Sequence, residues 1–358
     1  MKRYKEILQN ISLMIVGVAI FFLLAEIACR VIMPNSVKLR LMHKPDEKIG
    51  YRLVPHFEME YKTKEFNSFI RINSEGLRDY EHDTDKDIQT FRILVLGDSF
   101  TFGYGVNIDE SYPKILEAML NQYLSNKNSK RFEVINTGVD GYGTEQEYLY
   151  LEELGPRYKP DFVIVGLYSS DVYDAKVGIP KSFKKAWLKN HFYFLSYLRG
   201  LWIQLSKTIG KDIRSTFQIY QNTYPPEIDT AYNKTKEYLV KIRDFSHSIG
   251  AKTLVVIIPF CFEVSRQEWE KKELIYLYTD EFFNNNMAKA SEIFTEYGKE
   301  KEIPTLPLLP VFRKNKNLPL YFNDDPHWTK VGHRLAAEQI YIYLYKHELQ
   351  GVNAENRN

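Results

Sequence analysis

The sequence predicts an α/β fold: a three-layer α/β/α sandwich around a central parallel sheet, preceded by one N-terminal transmembrane helix. Three observations carry that prediction. Short continuous apolar runs, such as FRILVL at 91–96 and TLVVIIP at 253–259, lack the alternation of a half-exposed strand and read as strands buried on both faces. Segments with helical apolar spacing separate these runs, the rhythm of a parallel sheet with helices on both faces. Ahead of them, residues 7–25 form a long stretch without a single charge.

Composition bounds the rest. The 358 residues are 44% hydrophobic and 26% charged, which excludes collagen-like, low-complexity and wholly disordered chains. Net charge is +2, so bulk electrostatics offer no attraction for nucleic acid and no such partner is expected. A mean hydropathy of −0.38 excludes a polytopic membrane protein.

Residues 1–35 are expected to form the anchor. The run ILQNISLMIVGVAIFFLLA is long enough, since about 20 residues at about 1.5 Å rise span a hydrocarbon core of about 30 Å. Lys2, Arg3 and Lys5 precede it, and positive flanks stay cytoplasmic. The chain is therefore expected to be single-pass, with its main domain extracytoplasmic. A cleaved signal peptide is the rival reading, but no small-x-small site follows the apolar core. Glu26 stands where a lipobox ahead of Cys29 needs an aliphatic residue, so lipidation there is not expected. No disulfide is expected between Cys29 and Cys261, whose settings differ so much.

Residues 36–90 are polar and punctuated by proline, and are expected to form a stalk and a small β-rich lead-in. They contain a motif-like stretch, NSEGLRD, at 73–79. The main domain is expected over 91–345, with strands at 91–96, 132–136, 161–166 and 253–259 and a fifth, interrupted by prolines, at 303–309. Helices are expected at 111–124, with Pro113 in the first turn, at 144–154, and at 229–249 with Gly250 as a C-terminal stop. Two more are expected at 282–299 and 329–349, and residues 346–358 read as a polar tail that begins inside the last of them.

One segment breaks the rhythm. Residues 172–227 are an insertion in which Lys181, Lys184, Lys185 and Lys189 interleave with Trp187, Phe192, Tyr193, Phe194, Tyr197 and Trp202. It reads as a helical insertion with its aromatics packed inward; a lid, or a surface gripping a glycan or lying on the bilayer, is the alternative.

The chemistry gathers at two distant places. The strand at 91–96 ends in GDSFTFGYG, residues 97–105, which sets Ser99 at the carboxyl edge of a parallel strand, where open α/β sheets bind ligands. Thr101 occupies the second glycine position of a G-x-S-x-G elbow, so this is a different serine loop. A serine hydroxyl needs a base and donors for an oxyanion. The candidate base is His327 in NDDPHW, residues 323–328, with Asp324 and Asp325 close enough to curl back onto one imidazole nitrogen. No cysteine or histidine spacing points to a metal, and no cofactor is expected. His333 reads as structural, and Asp98 as a brace for the serine loop.

These blocks resemble those of the SGNH, or GDSL-type, hydrolase family over roughly residues 91–345. GDSFT matches the first block, with Ser99 in the nucleophile position. NTGVDG at 136–141 matches the second, with Gly141 where a backbone N–H serves the oxyanion hole. Asp324 through His327 match the last, and NSEGLRD resembles the lead-in of membrane-anchored members. The resemblance implies a flavodoxin-like SGNH fold and a Ser-His-Asp acyl-enzyme. For the acid, Asp-x-x-His selects Asp324, whereas Asp-x-His-Trp, as here, selects Asp325, which is favoured.

The third block departs from the family. GLYSSD at 166–171 puts Ser170 where an Asn amide usually completes the oxyanion hole. Either Ser170 serves in its place, or the domain keeps a cleft without hydrolysis. The expected function is a serine esterase or acyl transferase acting on an ester-bearing small molecule or on O-acyl groups of cell-envelope or exported polysaccharide. The alternatives are a catalytically impaired polysaccharide-binding module and a lipid esterase.

Overall fold

A computed structural model describes residues 2–32, 38–125, 130–179, 192–195, 197–198, 201–202, 217–220, 223, 225–270 and 287–349. Most of the insertion, the start of the helix expected at 282–299 and the end of the tail lie outside them.

Helix α1 (Lys2–Ile32) runs unbroken. Its apolar window has a mean hydropathy of 2.6 and is not buried against protein, so by length and composition it can cross a membrane. Two hairpins follow: β1 (His43–Asp46) with β2 (Gly50–Leu53), and β3 (Glu58–Lys62) with β4 (Asn67–Arg71). The segment expected as a stalk and lead-in is thus β-rich, and it is packed: Met42, Ile49, Leu53, Ile70, Ile72 and Leu77 are buried in the same core as the main sheet. Alternate positions of β3 and β4 turn inward and give that hairpin one buried face, which composition averaged over 36–90 conceals.

The main sheet has five parallel strands: β5 (Thr90–Gly97), β6 (Arg131–Asn136), β7 (Phe162–Tyr168), β8 (Lys252–Ile258) and β9 (Thr305–Pro307). All five match the sequence expectation to within a few residues. Their spatial order is β6-β5-β7-β8-β9, the flavodoxin-like 2-1-3-4-5 order, with every pairing parallel. Every residue of β7 is buried, so both faces of the sheet are covered.

The helices are α2 (Ser99–Phe102), α3 (Tyr112–Leu120), α4 (Thr144–Tyr158), α5 (Ser170–Val177), α6 (Pro226–Ser248), α7 (Cys261–Val264), α8 (Arg266–Glu270), α9 (Lys289–Glu300), α10 (Leu309–Lys314) and α11 (Lys330–Leu344). Helix α11 packs on α3, while α6 packs on α4, α5 and β8. Pro113 sits in the first turn of α3, as expected. Helix α4 runs on through Pro156 to Tyr158, one turn past its expected end.

Strand order reverses between β5 and β7, and a ligand crevice forms at such a point beyond the carboxyl ends of the strands. Gly97 and Gly166 lie opposite each other at those ends. A Cβ on either would come within 2.6 Å of the Thr101 hydroxyl, so both positions must lack one.

Candidate active site

Asp98 and Ser99 follow β5 directly. The Asp98 carboxylate accepts the Phe100 N–H at 2.9 Å and caps α2, as expected of a brace. Burial pushes the Asp98 carboxyl up to about 7, and nearby Asp140 adds to this against the Phe100 N–H and His327. Helix α2 lasts one turn and ends at Gly103 in the left-handed region, φ 85°.

The fold brings Ser99 and His327 together across 228 positions: Ser99 Oγ lies 2.7 Å from His327 Nε2. On the other side of the ring, His327 Nδ1 lies 2.6 Å from Asp325 Oδ1, which also accepts the His327 backbone N–H at 2.9 Å. With Asp325 ionised, Nδ1–H donates to it and Nε2 is left to accept the Ser99 hydroxyl. Burial opposes a charged His327, but Asp325, with Asp140 and Asp98 adding to it, holds the imidazole above its usual range. A serine–imidazole–carboxylate chain of this kind can draw a proton from the hydroxyl as it attacks a carbonyl.

Local packing locks the ring. The Tyr104 and Phe100 rings lie 4.5 and 5.0 Å from it, centroid to centroid. Trp328, fully buried next to it, packs against Phe100, Phe312 and His333. The Phe322 N–H donates to the His327 carbonyl at 3.1 Å, closing the loop on itself. Thr329 caps α11 by accepting the Val331 N–H.

The other expected residues fall out as follows. Asp324 is exposed and is not the histidine's partner in this arrangement. Gly141 sits in a turn with φ 75°, where a Cβ would meet the Tyr51 hydroxyl at 2.9 Å. Ser170 opens α5 at the end of β7, but its side chain lies outside the described residues. His333 is buried, accepts the Tyr112 N–H at 3.3 Å and is pushed down to about 3 by burial, in keeping with a structural residue. Beside Asp325 opens a cleft of about 280 Å³ between the β3–β4 turn, Tyr61, Tyr104 and Asp324.

Three residues ahead of the main domain brace the three loops, and sequence reasoning assigned none of them a role. Arg78, from NSEGLRD, is fully buried; its guanidinium donates to the carbonyls of Phe102 and Gly103 at 2.7 and 2.5 Å and of Val106 at 2.6 Å. Tyr51 in β2 donates to the Asp140 carbonyl at 2.8 Å, next to Gly141. Glu65, in the β3–β4 turn, accepts the N–H groups of Asn323 and Asp324. The neighbouring Asp79 accepts the Asn136 N–H at 2.7 Å and ties in the second block. The unusual NSEGLRD run signalled Arg78 and Asp79. Nothing local marks Tyr51 or Glu65, because each acts on a chain segment remote in sequence.

A family model described as GDSL-like lipase/acylhydrolase matches residues 93–340. An arylesterase of Vibrio mimicus is 26% identical over 183 residues, which cover 50% of this chain and 76% of that protein. Among solved structures, a G-D-S-L family lipolytic protein of Desulfitobacterium hafniense is similar at 15% identity and TM-score 0.40, over 70% of this chain and 98% of the other. The psychrotrophic esterase EstA of a Pseudoalteromonas species is similar at 16% identity and TM-score 0.40, over 72% and 97%. The family match begins within β5 and ends within α11, taking in the serine loop and the histidine loop alike, so this chain is a member of the GDSL-like lipase/acylhydrolase family and an ester-hydrolysing serine hydrolase.

Proposed function

We propose that Ser99 is the nucleophile, His327 the general base and acid, and Asp325 the residue that orients and charges the imidazole. The observation that carries this reading is the continuous hydrogen-bonded chain from Ser99 Oγ through His327 to Asp325. Ser99 attacks an ester carbonyl, and His327 takes the hydroxyl proton and returns it to the departing alcohol. The backbone N–H groups of Ser99 and Gly141 receive the oxyanion, with the Ser170 hydroxyl in place of the family's amide. Water or a second alcohol then takes the acyl group from Ser99, giving hydrolysis or transfer.

The same proposal places the enzyme on the membrane through α1, with Lys2, Arg3 and Lys5 cytoplasmic and the catalytic domain outside. That position supports O-acyl groups of envelope or exported polysaccharide as the substrate class, and the cleft beside Asp325 supplies room for the alcohol moiety.

A fluorophosphonate probe tests the nucleophile. It labels the wild type and leaves Ser99→Ala unlabelled, while both fold; equal labelling of the two moves the nucleophile elsewhere. Comparing aryl acetates with long-chain aryl esters tests the substrate class, since a preference for long chains points to lipid instead.

A further inference from the structure

The described part of the insertion carries apolar side chains turned to the outside. Phe192, Leu195, Tyr197, Leu198, Leu201 and Trp202 are between 39% and 70% exposed. By contrast Ile219 and Tyr220, further along the insertion, are buried in the core as the sequence led one to expect of the whole segment. So many large apolar groups in eleven residues mark a contact surface.

What covers them is indicated by where they sit. Both carboxylate oxygens of Glu26 in α1 are engaged: they accept the N–H groups of Tyr193 and Phe194 at 3.0 and 2.9 Å. Arg30 pairs with Glu26 at 3.1 Å and lies over the Tyr193 ring at 4.8 Å. Phe194 meets Phe21 and Phe22 edge to face, at 6.2 and 5.9 Å. Phe21 and Phe22 belong to the uncharged run and lie four or five residues before Glu26, about 6–8 Å deeper along the helix axis. Phe194 therefore reaches below the level at which the first outer charge of α1 stands. The exposed groups flanking it continue the apolar surface of α1, where Leu23, Leu24 and Ile27 are also exposed.

We propose that the described residues Phe192, Leu195, Tyr197, Leu198, Leu201 and Trp202 lie in the outer interface of the bilayer beside α1, as a second membrane-contacting element whose partner is a lipid surface. This rests on the reading of α1 as a membrane span. The polar network of Glu26, Arg30 and the Tyr193 and Phe194 amides sits at headgroup level, and the apolar side chains dip into the acyl boundary. Trp202 takes the interfacial position that tryptophan favours. Four lysines at 181, 184, 185 and 189 precede the stretch, a composition suited to lipid phosphates. The consequence is geometric: the catalytic domain is held down on the membrane at two places and serves substrates presented close to its surface.

The test uses the full chain in phosphatidylcholine nanodiscs, with and without acyl chains brominated along their length. Tryptophan emission is read for the wild type and for Trp202→Phe, an exposed and tolerant position. The expected result is quenching in brominated lipid, at least half of whose amplitude disappears in Trp202→Phe. Equal quenching in both proteins, or none in either while the chain stays with the nanodisc, overturns the proposal and leaves the span intact; a protein partner at this patch would give that outcome. A chain that fails to co-elute with nanodiscs overturns the span itself, and with it the proposal.

Discussion

Glu65 holds the backbone of Asp324: one carboxylate oxygen accepts the Asp324 N–H at 2.8 Å, and the other accepts the N–H of Asn323 at 2.5 Å. The next residue is Asp325, the partner of His327. A carboxylate from a hairpin 258 positions upstream thus fixes the start of the loop on which the histidine's charge depends.

Removing that support should loosen the loop without removing any group from the serine–histidine chain. Each hydrogen bond to a charged group is worth roughly 1.5–3 kcal/mol. Glu65→Ala is expected to lower kcat/KM for an aryl acetate by about tenfold to a hundredfold, at about 1.4 kcal/mol per factor of ten. Glu65→Gln, which retains one acceptor, should recover part of the loss. A variant with unchanged kcat/KM and an unchanged pH profile would make Glu65 a bystander.

The two aspartates should separate cleanly. Asp325→Asn is expected to cost roughly 10³- to 10⁴-fold in kcat, as loss of the orienting carboxylate does in such chains. Asp324→Asn, altering an exposed side chain, should stay within about threefold of wild type. The pH profile gives an independent readout. His327 must be neutral to act as base, and Asp325 holds its pKa above the usual 6.5, so the acid limb of kcat/KM should lie above pH 6.5. Without Asp325, only Asp140 and Asp98 oppose burial, and the residual activity should show that limb at lower pH.

Arg78 is a structural brace under the serine loop. Its three carbonyl partners are buried with it, and burial lowers the guanidinium to about 10. Arg78→Met leaves those carbonyls without donors and is expected to cost about 3–5 kcal/mol of stability in a denaturant titration. Arg78→Lys, with one compact ammonium in place of a fork, should lie between. Loss below about 1 kcal/mol in Arg78→Met would show that the carbonyls find other partners.

Stability should peak at mildly acidic pH. His82 lies 3.0 Å from Asp79 and 3.1 Å from Glu133; burial opposes its charge, but the two carboxylates push it up to about 9. Its folded pKa exceeds the unfolded one, so its contribution, on the order of 3 kcal/mol, is complete below about pH 6.5 and lost as pH rises through 9. Burial also raises Asp98 and Asp174 to about 7, and their contribution is lost as pH rises from about 4 through 7. Glu133, against its burial, is held at about 2 by His82 and Arg92, and its share is lost as pH falls from about 4.5 toward 2. The melting temperature should therefore be highest near pH 5 and fall toward pH 9. Asp174→Asn should reduce the fall; a steeper fall in that variant would contradict the assignment.

Ser170 is open to a direct kinetic test. An amide at this position restores the family's donor, and one oxyanion donor is typically worth about 2.7–4 kcal/mol. Ser170→Asn is expected to raise kcat for an aryl acetate, with KM little changed. A fall in kcat would mean that the pocket is shaped for the serine.

Much of this protein is local in sequence and was legible there. Strands β5, β7 and β8 announce themselves because a strand buried on both faces must be a continuous apolar run, whatever surrounds it. Ser99 and the Asp-Pro-His run stand in recognisable blocks because a strand-end turn and a helix start impose local residue preferences. The uncharged run of α1 is legible for the same kind of reason: by length and composition alone it is a helix able to cross a bilayer. What the tertiary structure alone decided depends on distance through space. The block already favoured Asp325 over Asp324, and the loop turns the Asp325 carboxylate toward the imidazole. The packing of residues 43–82 into the catalytic core, and the bracing by Tyr51, Glu65 and Arg78, rest on buried polar groups finding partners in remote segments. A carbonyl left bare by a tight turn needs a donor, but nothing in its own neighbourhood of sequence says which part of the chain will bring one.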